Sequence, residues 1–172
     1  ASGALAARDA DAASSTLQLV SFRLADETFG VEITRVREII LLGAITHIPE
    51  SPEYVEGVIN LRNSVIPVID LRVRFGLPRI EPTDESRIMV IPMAGCNVGF
   101  IVDAVDEVFR VSRQQIAPPP TSVAGPGHEY LGGLVRLENN LLILLEIEHL
   151  LSDADHATLK DVTAAARGAV AV

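Results

Sequence analysis

The side chains that most often carry out chemistry are few in this sequence and are not grouped. The single cysteine, Cys96, lies in an expected turn without the basic or histidine neighbour that would activate its thiol. The histidines lack metal-ligand spacing; they are His47, His128, His149 and His156. The sequence contains no glycine-rich phosphate-binding motif, no HExxH and no GxSxG. We therefore expect no catalytic site, no metal and no cofactor; the alternative is an enzyme that uses Cys96 or a histidine.

The composition argues against two further kinds of protein. The net charge is −9, with one lysine against 13 arginines, and only 4% of the residues are aromatic. A small barrel that binds nucleic acid needs basic patches and aromatic side chains for base stacking, so this alternative is disfavoured. The longest aliphatic run covers residues 141–145, far short of the roughly 18 residues of a membrane helix. We expect no nucleic-acid partner and no direct membrane insertion, and the lone cysteine is typical of a cytoplasmic protein.

One sequence pattern occurs twice. EYVEGVINLRNSVIPVIDL (53–71) aligns without a gap to EYLGGLVRLENNLLILLEI (129–147), 76 positions later. A second pair, TFGVEITRVREII and NVGFIVDAVDEVF, is separated by 69 positions. Aliphatic composition alone would not repeat Tyr, Gly and Asn at fixed offsets. The sequence therefore predicts two copies of a small β unit, each with about five short strands.

The predicted elements divide the chain into successive parts. Residues 1–16 are Ala- and Ser-rich and are expected to form a disordered tail. A first barrel is expected over about 17–80 and a second over about 86–152, separated by a polar boundary. Residues 153–172 are expected to form a C-terminal helix and tail, opened by a capping box of Ser152 and Asp155.

Several residues of the two copies are candidates for a contact surface. Arg62 lies among apolar neighbours in the first hairpin, whose turn is expected at Asn63–Ser64, and its equivalent in the second copy is Glu138. Arg62 forms an ion pair with Glu38 or presents its guanidinium to a partner, and the sequence leaves both open. Apolar residues at similar places in the two copies predict a seam between the barrels; they are Val36, Ile39, Ile40, Val105 and Val108.

These stretches carry a family resemblance. EGVINLRNSVIPVIDLRVRFG, preceded by FGVEITRVREII and followed by VGFIVDAVDEV and YLGGLVRLENNLLILLEIEHLL, resembles the chemotaxis coupling protein of the CheW type. The resemblance runs from about Leu17 to Ser152. The family usually has glycine where this sequence has Asn63, and Asn is well suited to a turn with positive φ.

The resemblance implies a non-catalytic adaptor with a mainly β fold. It implies two pseudo-repeated five-stranded SH3-like β-barrels packed together, with short helices and a C-terminal helix. Its partners would be the regulatory domain of a chemotaxis histidine kinase and the cytoplasmic tip of methyl-accepting chemoreceptors, with recruitment to membrane-associated receptor arrays. The same module in another chemosensory pathway, such as one that controls pilus motility, is the close alternative.

Residue by residue, the resemblance places two sets of positions on the surface of this chain. The implied receptor contacts are Val36, Glu38, Ile39, Arg62 and Val105. The implied kinase-binding or structurally sensitive positions are Gly57, Asn63, Ser64 and Val108.

Overall fold

The structure is a computed structural model that describes residues 16–119 and 130–170. The tail predicted for residues 1–16 lies outside the described residues up to position 15, and Thr16 already begins the first strand. Tail residues 171 and 172 lie outside them as well.

Eleven strands in the described ranges form two sheets. In chain order they are β1 (Thr16–Leu24), β2 (Glu27–Glu32), β3 (Glu38–Leu41), β4 (Val55–Leu61), β5 (Ser64–Asp70), β6 (Arg87–Met93), β7 (Cys96–Val102), β8 (Ala104–Ser112), β9 (Ile116–Ala117), β10 (Leu131–Arg136) and β11 (Leu141–Leu145). One sheet has the order β3-β6-β7-β5-β4, and the other has the order β8-β1-β2-β11-β10-β9. The two sheets therefore use interleaved parts of the chain.

This topology corrects the predicted contiguous barrels. The first barrel was expected over 17–80 and the second over 86–152, but β1 and β2 belong to the sheet that also contains β8 to β11. The five-stranded sheet instead takes β3 to β5 from the first sequence copy and β6 and β7 from the second. The sequence repeat shows which strands of the two copies are equivalent. It does not show which strands pair, because a hairpin from either copy fits the same partner strands. The two copies have exchanged their first hairpins.

The exchange preserves the repeat in the strand pairing itself. Gly30 of β2 lies opposite Leu144 of β11 in a parallel pair, and Gly99 of β7 lies opposite Val68 of β5 in the equivalent parallel pair. Both glycines leave room for a neighbour, since an added Cβ would lie 2.8 Å from a side-chain carbon of Leu142 or Ile88 respectively. Each sheet is thus built to the same plan.

Helices fill the ends of the sheets. Helix α1 (Leu71–Arg74) follows β5 directly, and the Asp70 side chain caps it by accepting a 2.9 Å hydrogen bond from the Arg72 amide. Helix α2 (Asp153–Val170) follows β11 after a short 3-10 turn at Ile147–His149. The predicted capping box is present, with Ser152 and Asp155 exchanging side-chain-to-amide bonds of 3.1 and 2.9 Å.

A shared apolar core joins the two sheets. Its largest fully buried members include Phe22 and Phe29 from one sheet and Ile69, Ile91 and Phe100 from the other. Helix α2 closes this core with a buried face made of Leu159, Val162 and Ala166. A smaller separate cluster fills each sheet on its own. The sheets are therefore two small units packed into one body.

Candidate protein-interaction surface

An ion pair links Glu38 and Arg62, as one of the two sequence alternatives proposed. Glu38 begins β3, and Arg62 lies in the turn after β4, so the pair joins elements from opposite edges of the five-stranded sheet. Opposite edges can meet only if the sheet curls on itself. Close by, Thr46 and Val58 exchange two 2.9 Å backbone hydrogen bonds and close the same barrel.

The hairpin turn that carries Arg62 differs from the prediction by one residue. Leu61 pairs with Ser64, so the turn residues are Arg62 and Asn63, with φ of +49° and +67°. Two positive φ angles are typical of the type I′ turn, which favours Asn. Asn63 therefore replaces glycine at a position that it can occupy, and Ser64 is the first residue of β5.

The ion pair does not hide Arg62. Its side chain is 70% exposed, whereas that of Glu38 is 23% exposed. An exposed pair of this kind contributes about 0–1 kcal/mol to stability. The guanidinium can thus be fixed in orientation by Glu38 and still present donors to another molecule.

The two outer strands β3 and β8 expose large apolar side chains. Ile39 on β3 is 39% exposed and Val108 on β8 is 50% exposed. The two positions are equivalent, since Ile39 lies opposite Met89 and Val108 lies opposite Val20 in the corresponding pairs. Sequence analysis missed Leu41, which is 70% exposed, although alternation along β3 places it on the same face as Ile39.

Val36 and Val105 occupy a different kind of site. Both are half-buried and pack against the core shared by the two sheets. Ile40 packs instead against the separate cluster of the five-stranded sheet. The predicted seam residues are therefore divided between the shared core and two strands at the edges of different sheets.

Gly57 has a clear structural requirement. Its φ is +152°, and a Cβ there would lie 2.1 Å from the Thr46 carbonyl oxygen. The register of the β4–β5 pair shifts between Val55 and Gly57, so the glycine forms a bulge beneath the Thr46–Val58 bridge. Gly133 forms the equivalent bulge in the other sheet.

A polar network holds helix α2, and sequence analysis found only its capping box. The Asp155 carboxylate accepts bonds from Tyr54 Oη (2.9 Å) and Arg74 Nη2 (2.7 Å) as well as from the Ser152 amide. The Arg74 guanidinium also lies over the Tyr54 ring, 5.0 Å from its centroid. Burial acts to raise the pKa of Asp155, but these bonds outweigh it and the pKa is lowered. Burial, followed by the bond to Asp155, raises the pKa of Tyr54 to about 12.

Among residues 16–119 and 130–170, no group of three or more His, Cys, Asp or Glu side chains could hold a metal ion. Cys96 is exposed, and it is the first residue of β7, directly after the turn in which the sequence placed it. No helix in these ranges is long and apolar enough to cross a membrane.

Two sheets built to the same plan, with a shared core and exposed apolar side chains on their outer strands, define a protein-interaction module of paired β units. Comparison with known proteins gives the same class. The family model for the CheW-like domain matches residues 18–155. The chain therefore belongs to the CheW family, and its role is that of a scaffold in chemotaxis signal transduction.

Individual relatives support the assignment over most of the chain. The chain is 37% identical over 142 residues to the chemotaxis protein CheW of Treponema pallidum, covering 80% of this chain and 84% of that protein. It is 34% identical over 145 residues to the chemotaxis protein CheW of Klebsiella aerogenes, covering 84% and 87%. The crystal structure of the scaffolding protein TtCheW from Thermoanaerobacter tengcongensis superimposes with a TM-score of 0.72 at 37% identity, covering 78% and 91%. The predicted fold of two packed SH3-like barrels is confirmed, with the two-residue β9 as an additional strand.

Proposed function

We propose that this protein is a non-catalytic coupling adaptor that binds two partners at once. One partner is the regulatory domain of a chemotaxis histidine kinase, and the other is the cytoplasmic tip of a methyl-accepting chemoreceptor. Binding both partners raises their effective concentration and fixes their relative geometry. The adaptor works in the cytoplasm and is recruited to membrane-associated receptor arrays.

The observation that carries the proposal is the presence of two equivalent apolar edges on two different sheets. Ile39 is exposed on β3 and Val108 is exposed on β8, and the two strands terminate separate sheets. A chain that holds two partners at once needs a separate apolar anchor for each, and Ile39 and Val108 provide one on each sheet. Exposed apolar side chains on outer strands suit partners that are themselves small barrels or helices.

We assign the receptor contact to the five-stranded barrel and its border with the shared core. Arg62 and Glu38 supply charge at one end of β3, and Ile39, the next residue along that strand, supplies an exposed apolar side chain. Val36 and Val105 supply the half-buried apolar part of the contact. A helical receptor tip would place its apolar residues on this surface, and Arg62 would set its orientation.

We assign the kinase contact to Asn63, Ser64 and Val108, with Gly57 as a structurally sensitive position. Asn63 and Ser64 are exposed at the tip of the β4–β5 hairpin, and Val108 is exposed on β8. Gly57 acts indirectly, because it permits the close approach of Thr46 that fixes the hairpin.

The proposal is tested by calorimetric titration of this protein into the purified regulatory domain of the histidine kinase from the same cell. We expect saturable one-to-one binding, retained when a receptor-tip fragment is added to form a ternary complex. Val108→Glu should weaken kinase binding. Ile39→Glu, at the equivalent position of the other sheet, should weaken receptor binding. The absence of kinase binding by two methods, with circular dichroism showing a folded protein, would contradict the coupling role.

A further inference from the structure

A groove opens where helix α2 crosses the ends of strands β5 and β7. Its volume is about 390 Å³. The parallel ladder between these strands begins at Val68 and Gly99, so residues 64–67 and 96–98 are not paired with each other in it. The helix lies beside these residues, where β5 and β7 are not paired with each other, and forms one wall of the groove.

The floor of the groove is apolar and its rim is exposed. Ile66, Met93, Val98 and Leu159 line it and are each at most 6% exposed. Ala164 of helix α2 lies on the exposed rim. Such a floor accepts aliphatic side chains from a bound molecule.

The helix wall is basic in a protein that is otherwise acidic. His156, Lys160 and Arg167 line the groove at helical spacing, so that they share one face of α2. The residues that line the groove include no Asp or Glu, although the chain has 23 acidic residues and a net charge of −9. Lys160 is the single lysine of the sequence. In the part of the chain that the structure describes, the exposed side chains of Lys160 and Arg167 make no ion pair.

We propose that this groove binds a short acidic segment of a protein partner. Aliphatic side chains of the segment would lie on the floor, and its carboxylates would pair with Lys160 and Arg167. Charge complementarity selects this occupant, because the groove is a basic site without a carboxylate of its own. The proposal stands independently of the adaptor function.

The same charges argue against an extended polyanion. A lipid surface or a nucleic acid would come close to the rest of a chain whose net charge is −9, and like charges would repel. A short segment confined to the groove avoids this repulsion. A small inorganic anion would leave the apolar floor unused.

The test uses fluorescence anisotropy of a labelled peptide that alternates glutamate and leucine. The control peptide has glutamine in place of every glutamate. We expect saturable binding of the glutamate peptide that weakens several-fold between about 0.05 M and about 0.5 M salt, where the Debye length shortens. The glutamine peptide should bind at least about tenfold more weakly, because it cannot form charge-assisted hydrogen bonds.

Matched variants distinguish the groove from general charge. Lys160→Glu with Arg167→Glu should weaken binding of the glutamate peptide at least about tenfold, since it reverses the charge of both side chains that pair with the peptide's carboxylates. Arg110→Glu with Arg136→Glu changes the net charge equally at exposed positions outside the groove, and affinity should change less than about twofold, as screened distant charges do. Ala164→Trp should block the groove without any change of charge.

Other outcomes would overturn the proposal. These are equal losses in the two double variants, equal binding of both peptides, unchanged binding in Ala164→Trp, or no saturable binding to the folded protein. Preferential binding of phosphatidylglycerol vesicles that the glutamate peptide does not displace would assign the basic face to lipid instead.

Discussion

Arg72 and Asp103 form a two-pronged ion pair between the two barrels. Arg72 Nε lies 2.8 Å from Asp103 Oδ1, and Arg72 Nη2 lies 2.6 Å from Oδ2. Arg72 belongs to helix α1, which follows β5, while Asp103 lies where the chain crosses from β7 of one sheet to β8 of the other. Asp103 Oδ2 also accepts a 2.8 Å bond from the Ala25 amide in the β1–β2 turn. One carboxylate therefore ties together elements of both sheets.

Loss of this carboxylate should destabilise the fold. The side chains of Arg72 and Asp103 are only 12% and 20% exposed, so Asp103→Ala leaves a poorly solvated guanidinium and an unpaired amide. We expect a loss of about 1–3 kcal/mol in the free energy of unfolding by urea denaturation. Glu85→Ala is the matched control, because the Arg23–Glu85 pair is 45% and 67% exposed and its loss should cost below about 1 kcal/mol. Similar losses in both variants would contradict an inter-barrel role for Asp103.

Asp155 should make the attachment of helix α2 sensitive to acid. Its pKa is lowered from the ordinary 3.8, so the folded protein favours the charged carboxylate. The resulting stability is present above pH 3.8 and is lost as the pH falls through the lower folded-state pKa. We expect the melting temperature of the wild type to fall more steeply below that pH than that of Asp155→Asn. Parallel curves for the two proteins would contradict the prediction.

Tyr54 should add a second pH dependence at the alkaline end. Its pKa is raised from 10.0 to about 12, so the folded state binds the phenolic proton more tightly than the unfolded state. The contribution of Tyr54 to the free energy of unfolding is therefore fully present below pH 10 and is lost as the pH rises towards 12. Absorbance titration of tyrosinate should show a late-titrating component that is missing in Tyr54→Phe. Unchanged late titration in Tyr54→Phe would contradict the prediction.

Gly57→Ala should be far more damaging than Gly43→Ala. A Cβ at position 57 would lie 2.1 Å from the Thr46 carbonyl oxygen, and the alanine backbone would have to adopt a φ of +152°. At position 43, nothing lies within 4 Å of an added Cβ. We expect Gly57→Ala to lose more than about 2 kcal/mol of unfolding free energy and Gly43→Ala to change it by less than about 1 kcal/mol. Equal stability of the two variants in urea denaturation would show that the bulge relaxes freely.

Local patterns in the sequence were sufficient to predict the repeat, about five strands in each copy, the β4–β5 hairpin to within one residue of its turn, and the capping box at Ser152. They could not predict the exchange of hairpins. Gly30 and Gly99 occupy equivalent positions, so either one fits opposite Val68 or Leu144 as far as the sequence shows. The contacts that join the barrels and that hold helix α2 were missed for a related reason. Asp103 and Asp155 reach arginines 31 and 81 positions away, and only the folded topology brings such residues together. The receptor and kinase contacts stay predictions.

Arg62→Glu should separate binding from stability. The variant places two carboxylates together at the Glu38 position, but the Arg62 side chain is 70% exposed, so the loss of stability should stay near or below about 1 kcal/mol. Binding of the receptor-tip fragment should weaken at least about tenfold, since a buried or partly buried charge contact is reversed at the interface. Kinase binding should weaken less than receptor binding, because Arg62 only adjoins the assigned kinase contact at Asn63 in the same turn. The charge exchange Glu38→Arg with Arg62→Glu restores the ion pair and is the decisive control. If the exchange leaves receptor binding weak while the melting temperature recovers, the charges of this pair contact the receptor. If it restores receptor binding as well, the ion pair serves the fold and the assigned contact is wrong.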